Sequence, residues 1–129
     1  MSKKEKSEHK LIAACMRYAA NVAAIHAAFN VDPDGNSKNA ERMTDRMSEE
    51  MEEDLRAMAK HKAATCHGLL AFSKAMKAMI DAEVSGGFSE AEVDALYAFA
   101  ENVTAITSEE RNAAFAEACE REKQERLAA

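Results

Sequence analysis

Two histidines and a cysteine lie within the segment KHKAATCHGLL, residues 60–70. Histidine and cysteine are the side chains that bind zinc, and a histidine can activate a cysteine as a nucleophile. On a helix, however, Cys66 points about 60° to one side of the apolar stripe through Leu69, His61 about 80° to the other side, and His67 about 160° away. Metal ligands on one helix must stand three or four residues apart to converge. We therefore predict no metal here, with Cys66 as a small buried side chain and the histidines at the surface.

Histidines of helical bundles also serve in di-iron sites and in phosphotransfer, and each use has its own sequence motif. A di-iron site needs glutamate three residues before a histidine on two helices. A phosphotransfer histidine is typically followed three residues later by lysine and then glycine, whereas His67 is followed by Leu70 at that place and Gly68 comes too soon. The residues three positions before His9, His26, His61 and His67 are Lys6, Ala23, Met58 and Ala64. Neither motif is present, and we expect no cofactor.

The segment NVDPDGNS, residues 30–37, resembles the start of a calcium loop in the spacing of Asp32, Asp34 and Asn36. The motif then requires glycine at position six and a bidentate glutamate at position twelve. Ser37 and Met43 stand at those positions. We interpret the segment as a turn, with Ser37 as the N-cap of the next helix.

The net charge of −6 argues against a protein that binds nucleic acid or an anionic membrane directly, since both prefer a basic surface. Residues 78–110 contain no lysine or arginine. Such a run is either the solvated face of a helical hairpin or a surface that docks a basic partner. Its acidic residues are Asp81, Glu83, Glu90, Glu92, Asp94, Glu101, Glu109 and Glu110.

The three cysteines, Cys15, Cys66 and Cys119, are widely spaced and contain no CxxC pair, which is typical of a reducing cytoplasm. The residues before Cys15 resemble a lipoprotein cleavage box, but only two apolar residues precede that box, and a signal peptide needs about 7 to 15. The apolar stretch around Arg17 is mostly alanine, and a central arginine costs about 2.5 to 3.5 kcal/mol on insertion scales. We therefore predict a cytoplasmic protein without a membrane span.

The first helix is expected over residues 3–29, with a capping box formed by Ser2 and Glu5. The only polar residues of its second half are Arg17, Asn21 and His26, amid many alanines. A helix that is apolar around its circumference is usually buried on more than one side, and a second copy of the chain would bury it. We predict a homodimer through this helix. Its apolar seam has heptad-like steps and comprises Leu11, Cys15, Tyr18, Val22, Ile25 and Phe29.

After Ser37 the apolar residues keep one helical phase as far as Ile80. This predicts one long central helix over residues 37–84, or two helices kinked near residues 62–68 with little change of helical phase, since Lys62 lies in the stripe and Gly68 follows it. The methionines of this region, Met43 to Met79, are interpreted as core or as an adaptable binding surface.

A helical hairpin is expected at residues 85–89, where Gly86 and Gly87 can end a helix. Ser89 and Glu92 form a capping box for the next helix. We place helices at 89–105 and at 108–126, the second with a capping box formed by Thr107 and Glu110. The predicted fold is a single all-α domain, residues 1–129, a bundle of four to five helices.

Three functional hypotheses follow, and an enzyme ranks below all of them because no nucleophile–base pair or phosphate loop is visible. The first is a non-enzymatic protein–protein interaction module acting as a homodimer, a regulator or inhibitor of a larger complex. The second is an acidic inhibitor that mimics nucleic acid in a basic groove of its target. The third is a bundle that binds a small ligand or metal through His26 and Cys15. The candidate interaction residues are Arg17, Asn21, His26, Glu49, Glu50, Glu53, Asp81, Glu83, Glu90, Glu92 and Asp94.

Overall fold

The computed structural model describes residues 1–31, 38–83 and 86–128, and it confirms an all-α fold. Its four helices are α1 (Lys3–Val31), α2 (Lys38–Lys60), α3 (Cys66–Ala82) and α4 (Glu90–Ala128). The calcium-like segment 32–37, with the predicted N-cap Ser37, lies outside the described residues.

The local end signals of α1 and α4 are confirmed. At the start of α1, the Glu5 N–H donates to Ser2 Oγ at 3.2 Å. At the start of α4, the Ser89 N–H donates to Glu92 Oε1 at 2.8 Å, and the Glu92 N–H donates to Ser89 Oγ at 3.2 Å. Gly86 has a φ of 81°, a left-handed conformation that favours glycine after a helix. Residues 84 and 85 lie outside the described residues, and from Gly86 onward the chain agrees with the hairpin predicted at residues 85–89.

Of the two predictions for the central region, the single helix over 37–84 is wrong and the pair of helices is correct, because residues 61–65 are not helical and separate α2 from α3. Thr65 is the N-cap of α3, with φ −135° and ψ 166°, and its hydroxyl accepts the Gly68 N–H at 3.4 Å. A bend was expected there, but the chain leaves the helix altogether.

The predicted break between helices 89–105 and 108–126 is also wrong, because α4 runs unbroken for 39 residues. The Thr107 hydroxyl does not cap a new helix. It donates to the Val103 carbonyl at 2.7 Å, one turn back along the same helix.

The four helices form a square arrangement in which α1 packs against α2 and α3, and α4 also packs against α2 and α3. Consequently α2 and α3 stand on a diagonal. The segment that joins them, residues 61–65, crosses one end of the bundle between the start of α1 and the middle of α4. We call it the crossover.

One apolar core joins all four helices. Phe72 of α3 is fully buried and meets Phe99 of α4 edge to face, with ring centroids 5.2 Å apart. The first half of the predicted α1 seam is in this core, whereas Phe29 at its far end is 41% exposed. The buried apolar residues are Leu11, Ala14, Cys15, Tyr18, Leu55, Met58, Ala63, Phe72, Ala75, Met76, Met79, Ala95 and Ile106.

Candidate interaction surfaces

The crossover is held by side chains from helices that are remote in sequence. Ser7 Oγ accepts the Lys62 N–H at 3.1 Å, and Asn102 Oδ1 accepts the Ala63 N–H at 2.7 Å. Glu8 Oε2 accepts the N–H groups of the next two residues, at 2.5 and 2.7 Å. Four consecutive backbone donors, from residues 62 to 65, are thus satisfied without any helix or sheet.

Glu8 is a buried carboxylate, and its surroundings favour the charged form. Burial by itself raises its pKa, but the Ala64 and Thr65 N–H groups, the Thr65 hydroxyl and the nearby His67 together hold the pKa below 4.5. Gly68 permits this approach, because a Cβ there would stand 2.5 Å from Glu8 Oε2. Glu8 is therefore a structural anion for the crossover, with both oxygens engaged.

Ser7 and His61 form a contact that the sequence did not suggest, with Ser7 Oγ 3.3 Å from His61 Nδ1. A serine beside a histidine is the start of a nucleophile–base pair. An acyl-transfer site also needs free N–H donors for the oxyanion, and the N–H groups of residues 62–65 are all bound to side chains. Burial and the charges of Lys10 and Lys60 lower the His61 pKa. The contact fits a structural link between α1 and the crossover.

Cys66 is exposed, so the prediction that it is a small buried side chain is wrong. Its thiol donates to Glu110 Oε1 at 3.4 Å, and this hydrogen bond with the carboxylate charge raises the Cys66 pKa, which disfavours a thiolate nucleophile. Within residues 1–31, 38–83 and 86–128, no group of three or more histidine, cysteine or carboxylate side chains could hold a metal ion.

The α1–α2 seam contains a polar cluster built around Asp54. Asp54 is 2% exposed and its Oδ1 accepts from Arg17 Nε at 3.1 Å and Arg17 Nη2 at 2.8 Å. Burial raises the Asp54 pKa, although the hydrogen bond and the positive charge of Arg17 act in the opposite direction. Among the described residues, Asp54 Oδ2 and Asn21 Nδ2 are buried without a hydrogen-bond partner. Arg17, a predicted interaction residue, thus takes part in the contact between α1 and α2.

His26 and Cys15, the pair of the third hypothesis, are not brought together. Cys15 is buried, and its pKa is raised to about 12 by burial and by the charge of Asp54. His26 is exposed and lines a shallow groove with Asp81 of α3. Eleven residues of helix separate the two by about 16 Å.

The acidic residues lie in separate groups. Glu83 accepts the N–H groups of Gly86 and Gly87, at 3.1 and 3.3 Å, and Glu92 caps α4, so two of them hold local turns. Asp81 pairs with Lys77 one turn away. Glu90 and Asp94 line a groove shared with Glu52 and Arg56 of α2. The Arg17 pKa is raised mainly by Asp54, and the charges of Glu50 and Glu53 raise it further. Glu49, Glu50, Glu53, Glu90 and Asp94 are exposed.

The run of acidic residues over 78–110 is divided between the two ends of the bundle. Glu101 and Glu109 line a cleft of about 570 Å³ at the crossover end, which we call the basal cleft. Asp94 is 15 residues from Glu109 along α4, or about 22 Å. The basal cleft also presents Lys3, Lys4, Lys62, Ala105 and Ile106.

The apolar side of α1 that faces away from the core is uncovered. Ala13, Met16, Ala20, Ala23 and Ala27 follow steps of three and four residues, and all five are exposed, Met16 by 66%. We call these residues the α1 outer face. Only 22% of the most apolar 18-residue window of α1 is buried, and by length and composition alone this helix could cross a membrane.

The end of α4 extends past the rest of the bundle. Ile106 is the last buried residue of α4, and every residue from 107 to 128 is exposed. This segment, the α4 arm, is about 33 Å long at 1.5 Å per residue. It carries Phe115, which is 71% exposed, and Leu127, which is 79% exposed.

Comparisons with known proteins identify no relative: no family model, no curated protein and no solved structure matches the chain.

Proposed function

We propose that this protein is a non-enzymatic, cytoplasmic interaction module that acts as a homodimer through the α1 outer face, as a regulator or inhibitor of a larger complex. The observation that carries the proposal is the contrast within α1. Its inner seam is buried, while its opposite side, formed by four alanines and Met16, is exposed.

The spacing of the α1 outer face suits a second straight helix. Steps of three and four residues keep a stripe aligned along a neighbouring helix, and alanines let two helices approach closely. Met16 is the only large member. When two copies pair antiparallel about Ala20, Met16 of each copy lies beside Ala23 and Ala24 of the other, and Ala13 lies beside Ala27. Large side chains then meet small ones, which favours a second copy as the occupant.

A lipid bilayer is a weaker candidate for the same face. Along the side of α1 opposite the outer face, Leu11, Cys15 and Tyr18 pack in the protein core. Arg17 forms an ion pair with the buried Asp54 of α2. If α1 entered a bilayer, Asp54 would lose this ion pair, which is unfavourable for a buried carboxylate.

The test is the molar mass of substituted chains by light scattering. Ala20→Glu with Ala23→Glu places four carboxylates in the proposed dimer interface and should abolish pairing of α1. Ala100→Glu, also an exposed alanine of a helix, is the matched control and should leave the mass unchanged. Circular dichroism checks that helix content is retained. If the double variant keeps the wild-type mass, the α1 outer face is not the dimer interface.

A further inference from the structure

We infer that the α4 arm pairs antiparallel with the α4 arm of a second copy. Each chain would then contact other copies at two places, along α1 and along the α4 arm. The inference goes beyond the proposed α1 dimer and does not require it. An isolated helix of this length is marginal in water, and a partner helix would supply the packing that the bundle does not give it.

The apolar side of the arm is short and centred. Phe115, Ala118 and Cys119 lie within about 60° of one direction on the helix, together with Arg111 above them and Glu122 below them. We call this the Phe115 face. Arg111 makes no ion pair within the described part of the chain, and residues 107, 108, 114 and 115, which are its neighbours at three and four, offer no carboxylate.

The charges on the Phe115 face favour one orientation. Glu122 already pairs with Arg126 of its own helix at 2.8 Å, but that contact is exposed and therefore weak. In an antiparallel pair that sets Phe115 against Cys119, Arg111 of each arm stands beside Glu122 of the other, so opposite charges meet twice. In a parallel pair Arg111 meets Arg111 and Glu122 meets Glu122. Like charges across a helix pair are unfavourable, and the pattern therefore selects the antiparallel arrangement.

The charges of the Phe115 face are self-complementary, because the same face carries both the cation and the carboxylate that an antiparallel copy needs. The occupant committed to here is therefore a second copy of the chain.

Two different two-fold contacts on one chain join dimers into larger assemblies. Sedimentation equilibrium of four chains separates the two contacts. The wild type should exceed the mass of a dimer at high concentration, Ala20→Glu with Ala23→Glu should leave dimers joined by arms, and Phe115→Glu should leave dimers joined by α1. The combined variant should be a monomer.

These outcomes distinguish the two ideas. The arm contact is contradicted if Phe115→Glu has the wild-type mass, or if Ala20→Glu with Ala23→Glu is monomeric while the bundle stays folded. The α1 contact fails separately if Ala20→Glu with Ala23→Glu retains the wild-type mass.

A charge exchange in the Ala20→Glu, Ala23→Glu background tests the orientation. Arg111→Glu should raise the dissociation constant of the arm pair about tenfold, since two attractive contacts become repulsive. Adding Glu122→Arg should restore it to within about threefold of the starting value. Arg121→Glu, the same charge change away from the Phe115 face, is the control. If Glu122→Arg weakens the Arg111→Glu pair further, the antiparallel register is wrong.

Discussion

Removing the Glu8 carboxylate should destabilise the whole bundle, because one side chain fastens the crossover to α1. In Glu8→Ala, the Ala64 and Thr65 N–H groups lose the acceptor that binds them at 2.5 and 2.7 Å. A buried donor left without a partner costs about 1 to 3 kcal/mol. Since Ala64 and Thr65 are themselves exposed, water can replace part of the loss, and we expect a total of about 2 to 3 kcal/mol.

Thermal and urea unfolding followed by circular dichroism measure this loss. For a chain of this size, about 2 to 3 kcal/mol corresponds to a fall in Tm of roughly 10 °C. Glu5→Ala is the matched control, because Glu5 lies on the same helix but is exposed and its carboxylate accepts no hydrogen bond from the crossover. It should cost less than about 1 kcal/mol.

The pH dependence gives a second, independent readout. The Glu8 pKa is lower in the folded chain than its ordinary 4.5, so ionised Glu8 stabilises the fold above that pH. This contribution is lost as pH falls below 4.5 through the folded pKa. Glu8→Gln, which has the same shape without the charge, should therefore be less stable than the wild type at neutral pH, with a gap that narrows in acid. Equal destabilisation by Glu8→Ala and Glu5→Ala, or a gap that is constant with pH, would refute the role assigned to Glu8.

Two further substitutions test neighbouring contacts. Gly68→Ala should lower the free energy of unfolding by about 1 to 3 kcal/mol, because the added Cβ would stand 2.5 Å from Glu8 Oε2. This loss should outweigh the better helix propensity of alanine. If urea unfolding shows a more stable variant, Glu8 does not approach Gly68 this closely. Arg17→Ala should lower the free energy of unfolding by about 1 to 2 kcal/mol, because it leaves Asp54 buried without its cation. This loss is smaller than for a fully buried ion pair because Arg17 itself is exposed. Arg56→Ala breaks an exposed pair and should cost at most about 0.5 kcal/mol. Equal losses from the two arginine variants would show that Asp54 does not need Arg17.

The helix ends that the sequence predicted correctly are those whose partners are close in the chain. Ser89 and Glu92 are three residues apart, and Gly86 supplies its own left-handed conformation. Such signals are complete within one turn of helix, so they can be read without knowing the fold.

The crossover was not predictable for the opposite reason. The hydrogen bonds that replace the helix at residues 62–65 come from Ser7, Glu8 and Asn102, each at least 39 residues away. No proline or glycine marks residues 61–65, and the apolar spacing of α2 continues in phase into α3 across this segment. Tertiary contacts overrode a helical pattern that was locally consistent.

The candidate surfaces were predicted in part. The sequence singled out the alanine-rich first helix, and the structure buries its inner seam at Leu11, Cys15 and Tyr18. His26, which the third hypothesis paired with Cys15, is exposed and faces the groove beside α3. The α4 arm was not predictable from its sequence, because Thr107 and Glu110 have the spacing of a capping box and so indicate the start of a separate helix. The acidic-inhibitor hypothesis stays a prediction.

The measurement that tests the central claim most directly is the molar mass of the wild-type chain by sedimentation equilibrium across the micromolar range. Self-association through the α1 outer face predicts a mass of at least twice the 14.1 kDa of one chain, decreasing toward 14.1 kDa on dilution. A mass of 14.1 kDa at every concentration would contradict it.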